Sequence, residues 1–110
     1  MEVEIGDKVL KKAAEDEKYS IRKLGTVRTE WYHKRLGQLL AAWCLEDVRN
    51  LPGNYHELKG DRKGQWACNL DHPYRLVFKP LEDPIPTDDD GRYVWAEILG
   101  VEIEEVVDYH

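Results

Sequence analysis

The spacing of apolar residues changes once along this 110-residue chain, and that change limits the folds open to it. Before residues 50–54, apolar side chains recur three, four and seven positions apart, the period of an α-helix; examples are Leu36, Leu39, Leu40 and Trp43. After the helix-breaking Pro52-Gly53 pair they alternate, which is the period of a β-strand. A helical part followed by a strand part predicts an α+β domain.

The first half is predicted to begin with a short edge strand in residues 1–5. Asp7 can cap a helix that runs to residue 17, because its carboxylate can accept a hydrogen bond from the first turn. A second helix is expected over residues 20–45, with Gly25 as a point of breakage. The two helices form a hairpin that we expect to pack on one face of the sheet.

The second half is predicted to form a small, mainly antiparallel sheet, with strands at residues 55–59, 65–70 and 74–79. Residues 80–91 are rich in proline and acid and are expected to be a solvated, mobile loop. Residues 93–107 are expected to be a last strand or strand pair. We predict a single domain over residues 1–110, with the sheet face away from the helices left for function.

The charge is divided unevenly between the two parts of the chain. The net charge is −6, whereas a protein that binds nucleic acid through phosphates is usually basic. Residues 1–63 hold 13 Lys/Arg and 11 Asp/Glu, and residues 64–110 hold 3 and 11. The basic residues therefore lie mostly in the first part.

Cysteine use and hydropathy bear on the compartment. The two cysteines, Cys44 in the helical part and Cys68 in a strand, are too few for a disulfide framework and are expected to be buried free thiols. Neither a signal peptide nor an apolar run of about 20 residues, the length of a membrane span, is visible. These features predict a cytoplasmic protein without membrane contact.

Six residues could carry chemistry. His56 can transfer protons and Lys59 can place a charge on a phosphate, although positions 56 and 59 face opposite sides of a regular strand. Arg75 lies in an otherwise apolar strand and fits either a phosphate clamp or a structural ion pair. The remaining three are the terminal residues Asp108, Tyr109 and His110. For the five residues other than Arg75, the alternative is an ordinary surface or terminal side chain.

The order of motifs resembles a known family. Leu51-Pro52-Gly53, H-x-L-K-G-D-x-K-G from His56, Y-R-L-V-F around Arg75 and the terminal D-Y-H appear in one succession. Together they resemble the HigB branch of the RelE/ParE toxin superfamily over residues 45–110. The resemblance implies a RelE-like fold and a toxin of a type II toxin–antitoxin system that cuts mRNA on the ribosome. It also implies a helix-turn-helix antitoxin as partner, with DNA contacted only through that antitoxin.

The resemblance also assigns roles to the six residues. RNA can be cut by its own 2′-hydroxyl once that oxygen is deprotonated and aligned, without a metal or other cofactor. His56 and His110 are then candidate proton-transfer groups, Lys59 and Arg75 stabilise the phosphate charge, and Asp108 orients a histidine or the substrate. Tyr109 would stack on a base or position the phosphate.

Two features depart from the family pattern and keep an alternative open. HigB-like toxins are usually basic, and this chain is acidic, with an acid-rich insertion at residues 81–91. That insertion belongs to a sub-branch whose members often carry the label killer suppression protein. The alternative function is therefore a non-catalytic toxin homologue, or an antidote that acts by binding another protein. A zinc site built from the histidines is the other use of these groups, but no pair has metal-ligand spacing.

Overall fold

The computed structural model describes residues 1–108. Within them lie four α-helices: α1 (Lys8–Glu15), α2 (Glu17–Leu24), α3 (Thr26–Ala41) and α4 (Leu45–Val48). The five strands are β1 (Glu2–Ile5), β2 (His56–Glu57), β3 (Trp66–Asn69), β4 (Tyr74–Pro80) and β5 (Gly100–Asp108). Two short 3₁₀ helices cover Gly60–Arg62 and Trp95–Glu97.

The five strands form one sheet in the order β1-β5-β4-β3-β2. β1 runs parallel to β5, and the other neighbouring pairs are antiparallel. Helices α1 to α3 cover one face of this sheet, where Leu10, Ala13 and Tyr32 share a core with strand residues. The predicted fold class, α+β with a mainly antiparallel sheet, is confirmed.

Alternation along the strands separates the two faces of the sheet. The face toward the helices contributes large apolar side chains to the core, among them Trp66, Leu76, Phe78 and Ile103. Each contributes about 1.5–3 kcal/mol relative to an exposed position. We call the opposite side the open face; the register places on it His56, Ala67, Asn69, Arg75, Val77, Lys79, Glu102, Glu105 and Val107.

The helical layer differs from the predicted hairpin in where its helices end. Gly25 adopts φ +89°, a conformation that side chains disfavour, and it separates α2 from α3. The second helix was expected to reach residue 45, but α3 ends at Ala41. The chain then turns so that Leu45 enters the core and its N–H donates to the Ile98 carbonyl, 3.0 Å away. Trp43, which was grouped with the apolar residues at helical spacing, is 86% exposed as a result.

The last predicted strand is wrong over its first part. β5 begins only at Gly100, because Trp95 and Ile98 fold into the core through a 3₁₀ turn. The acid-rich segment before it is solvated but anchored: the Val94 N–H donates to the Pro86 carbonyl at 2.9 Å. An isolated bridge also joins Thr87 to Tyr93. The segment thus forms a defined lobe at the end of the sheet.

The two cysteines lie in different surroundings. Cys68 is buried in β3, and desolvation raises the pKa of its thiol to about 12. Cys44 is only half-buried and precedes α4, outside the apolar helix in which it was expected. Among residues 1–108, none of the helices has the length and apolar character needed to span a membrane.

Candidate functional site

His56 stands on the open face at the free edge of the sheet. Its register partner is Ala67, and β2 is the last strand in the order. The ring nitrogen Nδ1 lies 2.7 Å from the Asn54 carbonyl oxygen. A carbonyl oxygen only accepts, so Nδ1 must carry the proton, and in the neutral ring Nε2 is left unprotonated. His56 therefore points the nitrogen suited to a general base away from the main chain.

Arg75 lies on the same face, two strands away from His56. Its register neighbours are Asn69 on β3 and Val107 on β5. Ideal strand spacings place the Cα atoms of His56 and Arg75 roughly 12 Å apart. An arginine side chain can cover much of that separation, so the two groups can reach one phosphodiester between them. The structure thus places the predicted base and one predicted phosphate ligand on the same face of the sheet.

Lys59 is not governed by strand alternation. β2 ends at Glu57, and Lys59 is an exposed residue that precedes the 3₁₀ helix Gly60–Arg62. In a regular strand, positions 56 and 59 would face opposite sides of the sheet. Because β2 ends before Lys59, this restriction does not apply to it.

The described part of the terminal group lies on the other side of the sheet. Asp108 pairs with Tyr74 in the register, so its Cβ points toward the helical layer, unlike those of Arg75 and Val107. It is exposed at the end of β5. Tyr109 and His110 lie outside the described residues. The register alone therefore does not bring Asp108 beside His56 and Arg75.

A network of opposite charges covers the middle of the open face. Arg62 donates to Glu105 at 2.9 Å, and Gln65 donates to Glu104 at 2.6 Å. The Lys79 ammonium group lies 3.9 Å from the Glu104 carboxylate. Because Glu105 belongs to β5 and Arg62 precedes β3, the first bond crosses β4 above the buried Val77. These acids reduce the positive charge available to RNA on this face.

Arg35 holds the loop that leads into His56. It is 5% exposed, and its guanidinium donates to the carbonyls of Asn69 at 2.7 Å and Pro52 at 3.2 Å. The Asn69 N–H in turn donates to the Gly53 carbonyl at 2.8 Å. A Cβ on Gly53 would lie 2.8 Å from the guanidinium carbon, and Gly53 has φ +124°. Position 53 therefore requires glycine, because a side chain there would collide with the buried guanidinium of Arg35.

Sequence reasoning missed Arg35, although its spacing carried a signal. Arg35 lies three residues after Tyr32 and four before Leu39, both of which are fully buried. A cation at a core-facing helical position needs several acceptors. The carbonyls of a Pro-Gly loop are suitable acceptors, but only the tertiary structure shows that this loop lies within reach.

Sequence reasoning also missed Arg28, which joins the helical layer to the turn between β3 and β4. Its guanidinium forms two bonds with the Asp71 carboxylate, at 2.9 and 3.0 Å, and lies 3.5 Å from the centre of the Tyr74 ring. The hydrogen bond to Asp71 raises the pKa of Arg28. This contact joins α3 to the turn between β3 and β4, beside the register partner of Asp108.

Loss of this contact should reduce stability. Asp71→Ala is expected to lower the free energy of unfolding by about 1–2 kcal/mol, because the pair is bidentate and partly buried. Arg28→Lys should lose part of the same amount, since lysine cannot form the forked contact. Urea unfolding measures both changes. Asp89→Ala, on the exposed acidic lobe, serves as control; equal effects of Asp71→Ala and Asp89→Ala would contradict the assignment.

A metal site is the alternative use of the histidines. Within residues 1–108, no group of three His, Cys, Asp or Glu side chains lies close enough together to hold a metal ion.

Comparison with known proteins relates the chain to one group of toxins. No known family model matches the sequence. Toxin YoeB of Streptomyces coelicolor is 35% identical over 52 residues, which are 47% of this chain and 61% of that protein. The chain therefore spans about three fifths of the length of the curated relative it matches.

Comparison with solved structures gave two further matches. A YoeB/ParE toxin from Agrobacterium tumefaciens aligns over 100% of both chains with a TM-score of 0.50 and 11% identity. The YoeB dimer from Staphylococcus aureus aligns over 100% of this chain and 97% of that one, with a TM-score of 0.46 and 16% identity. The first of these likenesses shows that the chain has the fold of a YoeB/ParE toxin.

Proposed function

We propose that this protein is the toxin of a type II toxin–antitoxin pair and that it cuts mRNA on the ribosome without a metal ion. The observation that carries the proposal is the open face, which His56, with a protonated Nδ1, shares with Arg75 two strands away. The similarity to a YoeB toxin supports it. Assignment to the HigB branch rests on the motif order, chiefly H-x-L-K-G-D-x-K-G and the terminal D-Y-H.

The proposed reaction is an internal displacement within the RNA. His56 Nε2 removes the proton from a 2′-hydroxyl, and the 2′-oxygen attacks the adjacent phosphorus. The bond from phosphorus to the 5′-oxygen breaks, leaving a 2′,3′-cyclic phosphate. His110 supplies the proton that the leaving 5′-oxygen takes up. Lys59 and Arg75 stabilise the extra negative charge on the phosphoryl oxygens.

The other two terminal residues position the reacting groups in this proposal. Asp108 accepts a hydrogen bond from a histidine or from the substrate, and Tyr109 stacks on a base or holds the phosphate. Both roles come from the motif resemblance. Because Asp108 pairs with Tyr74 on the helix side of the sheet, its contribution has to be made around the end of the sheet.

Induction in a bacterium tests the proposal. Expression of the chain alone should arrest growth and shorten mRNAs, while Asp108→Ala and His110→Ala variants expressed at the same level should allow growth. A helix-turn-helix antitoxin encoded nearby should restore growth when it is co-expressed. Normal growth with intact mRNA at good expression would contradict the proposal.

One observation favours a second candidate, a non-catalytic homologue or antidote that acts by binding protein. Glu104 and Glu105 engage Lys79, Gln65 and Arg62 on the open face, which weakens that face for RNA. Under this candidate the chain would relieve the toxicity of a neighbouring gene product and have none itself. Expressing each partner alone and both together separates the two functions.

A further inference from the structure

A pocket of about 410 Å³ lies where the acid-rich insertion, residues 81–91, meets the sheet. Among the residues that line it are Leu81, Glu82, Asp83 and Ile85 of the insertion, Lys79 of β4 and Glu102 of β5. The two strand residues belong to the open face, so the pocket is on the same side of the sheet as His56 and Arg75. Its volume is in the lower part of the range for small-ligand sites, about 300–1,000 Å³.

The pocket lies beside the proposed cleavage site. Lys79 follows Val77 by two residues on β4, and Val77 shares a row of the sheet with His56. Ideal strand spacings therefore place the Cα atoms of His56 and Lys79 roughly 12 Å apart. The sugar and base of one nucleotide, together with a lysine side chain, can cover that separation. A strand with its scissile phosphate between His56 and Arg75 can thus place a neighbouring base in the pocket.

Contacts between the insertion and the sheet hold the pocket in shape. The Leu81 N–H donates to the Gly100 carbonyl at 3.0 Å. Gly64 has φ +97°, and a Cβ added there would lie 3.3 Å from the Ile85 side chain, so the insertion packs closely on this turn. A ligand that enters the pocket therefore does not have to order the insertion first, which favours binding.

Glu82 is a lining residue with an unused hydrogen-bonding atom. Its Oε2 accepts from the Leu99 N–H at 2.6 Å, which holds the carboxylate in place. Its Oε1 is buried, and no donor among residues 1–108 binds it. A buried carboxylate oxygen without a partner is unfavourable. A ligand that offers an N–H group to Glu82 therefore gains affinity.

The charges of the lining favour a neutral ligand that carries both donors and acceptors. The pocket has two lysines against three acids: Lys63 and Lys79 against Glu82, Asp83 and Glu102. The excess of acid disfavours a phosphate, and the two ammonium groups disfavour a cation. Pro80, Leu81 and Ile85 offer apolar contacts to a flat ring. A nucleobase combines these properties, since its ring carries donors and acceptors along its edges.

Guanine matches this lining better than the other three bases. Its N1–H and its 2-amino group are adjacent donors, and one carboxylate can accept from both. Its O6 and N7 are adjacent acceptors that suit lysine. Adenine, cytosine and uracil each offer a single donor group on the pairing edge, so they cannot form the paired contact with a carboxylate.

We propose that this pocket binds one unstacked guanine of the RNA strand that is cut at His56. Glu82 accepts from N1–H and the 2-amino group, and Lys63 and Lys79 donate to O6 and N7. The inference rests on the proposed function, because it concerns the substrate of that reaction. Glu82 determines specificity without contacting the reacting atoms. The insertion thus gives the chain a preference for one base beside the cut.

The test measures binding apart from cleavage, with RNA whose 2′-hydroxyls are all methylated so that it cannot be cut. Fluorescence anisotropy compares a uridine hexamer with the same hexamer carrying one central guanine, or one central hypoxanthine, which lacks the 2-amino group. The full chain is used as wild type, as Glu82→Gln and as the control Asp89→Asn, an exposed position of the insertion outside the pocket. Glutamine keeps an oxygen for the Leu99 N–H, but its NH₂ group cannot accept from guanine.

The wild type and Asp89→Asn should bind the guanine hexamer about 5–150-fold more tightly than the uridine hexamer, the discrimination of one paired base contact. The hypoxanthine hexamer should lose most of that gain, and Glu82→Gln should bind all three alike. Urea unfolding checks the fold; if Glu82→Gln does not fold, Lys63→Gln at an exposed position should lower the guanine preference instead.

Two results would overturn the inference. The first is a wild type that binds the three hexamers equally or not at all, and the second is a guanine preference that survives in the variants of the pocket. Weaker antitoxin binding by Glu82→Gln, with RNA binding unchanged, would make the pocket a protein contact and would also overturn it.

The inference and the proposed function can fail separately. Guanine-dependent binding by a chain that cuts no mRNA would retain the pocket and contradict the proposed function. Cleavage of ribosome-bound mRNA at sites that share no guanine, and at the same sites by Glu82→Gln, would do the reverse.

Discussion

His56→Gln is expected to lower the rate of mRNA cleavage on the ribosome by about 10²–10⁴-fold, the usual contribution of a positioned general base. Glutamine occupies similar space and can keep a hydrogen bond to the Asn54 carbonyl, but it cannot take up a proton. The loss should appear in the rate of the chemical step and not in ribosome binding. Single-turnover cleavage of a ribosome-bound mRNA measures it.

The matched control is His72→Gln, which changes an exposed histidine in the turn after β3. Its cleavage rate should equal that of the wild type. Urea unfolding of both variants checks that the fold is kept. A His56→Gln variant that cuts at the wild-type rate would remove His56 from the reaction and leave His110 as the candidate base.

Gly53→Ala is expected to lower the free energy of unfolding by about 3 kcal/mol. A residue other than glycine in such a sparsely populated conformation costs about 1–3 kcal/mol. The added methyl group would also lie 2.8 Å from the guanidinium carbon of Arg35, which is anchored by two carbonyls and cannot move away cheaply. Domains of this kind have a total stability of about 5–15 kcal/mol, so the loss is a large part of it.

Gly91→Ala separates the two causes, because Gly91 also has a positive φ, +80°, but nothing lies within 4 Å of its Cβ position. It should cost only the conformational part. Combining Gly53→Ala with Arg35→Ala should give a loss smaller than the sum of the single losses, since the clash needs both residues. Equal costs for Gly53→Ala and Gly91→Ala in urea unfolding would contradict the steric account.

The same loop connects stability with the candidate site. Arg35 binds the Pro52 carbonyl, the Gly53 carbonyl accepts from Asn69, and the next residue, Asn54, accepts from His56. The buried cation therefore fixes the backbone that sets the tautomer of His56. A substitution that loosens this loop should affect both stability and cleavage, which is why the control variants are placed outside it.

The sequence predicted the parts of the fold that depend on local pattern. The Asp7 cap is observed, with its carboxylate accepting from the Leu10 N–H at 2.9 Å, and the alternation around Arg75 predicted β4. The errors lie where tertiary packing overrides local preference. Trp43 has helical spacing but is exposed, because the chain turns to bury Leu45. Trp95 lies in a segment whose pattern predicts a strand, but it adopts a 3₁₀ turn from which its indole packs into the core.

The sequence indicated which residues to consider for the candidate site, but it did not indicate how they are arranged in space. Alternation shows only which residues share a side within one strand; that His56 and Arg75 lie on the same face follows from the pairing of β2, β3 and β4. The pairing of Arg62 with Glu105 joins residues 43 positions apart, and no local pattern indicates it. Whether Tyr109 and His110 join the site stays a prediction.

The central claim is that a 2′-hydroxyl of the RNA is the nucleophile and that the chain itself supplies the proton transfer. The direct measurement uses a ribosome-bound mRNA with one 2′-deoxy nucleotide at a mapped cleavage position. A chelator that binds transition metals but leaves Mg²⁺ in solution is present, so that the ribosome stays intact. We expect cleavage to stop at that position only, and the unmodified RNA to give 2′,3′-cyclic phosphate and 5′-hydroxyl ends. Cleavage at the deoxy position, or products with 5′-phosphate ends, would contradict the account.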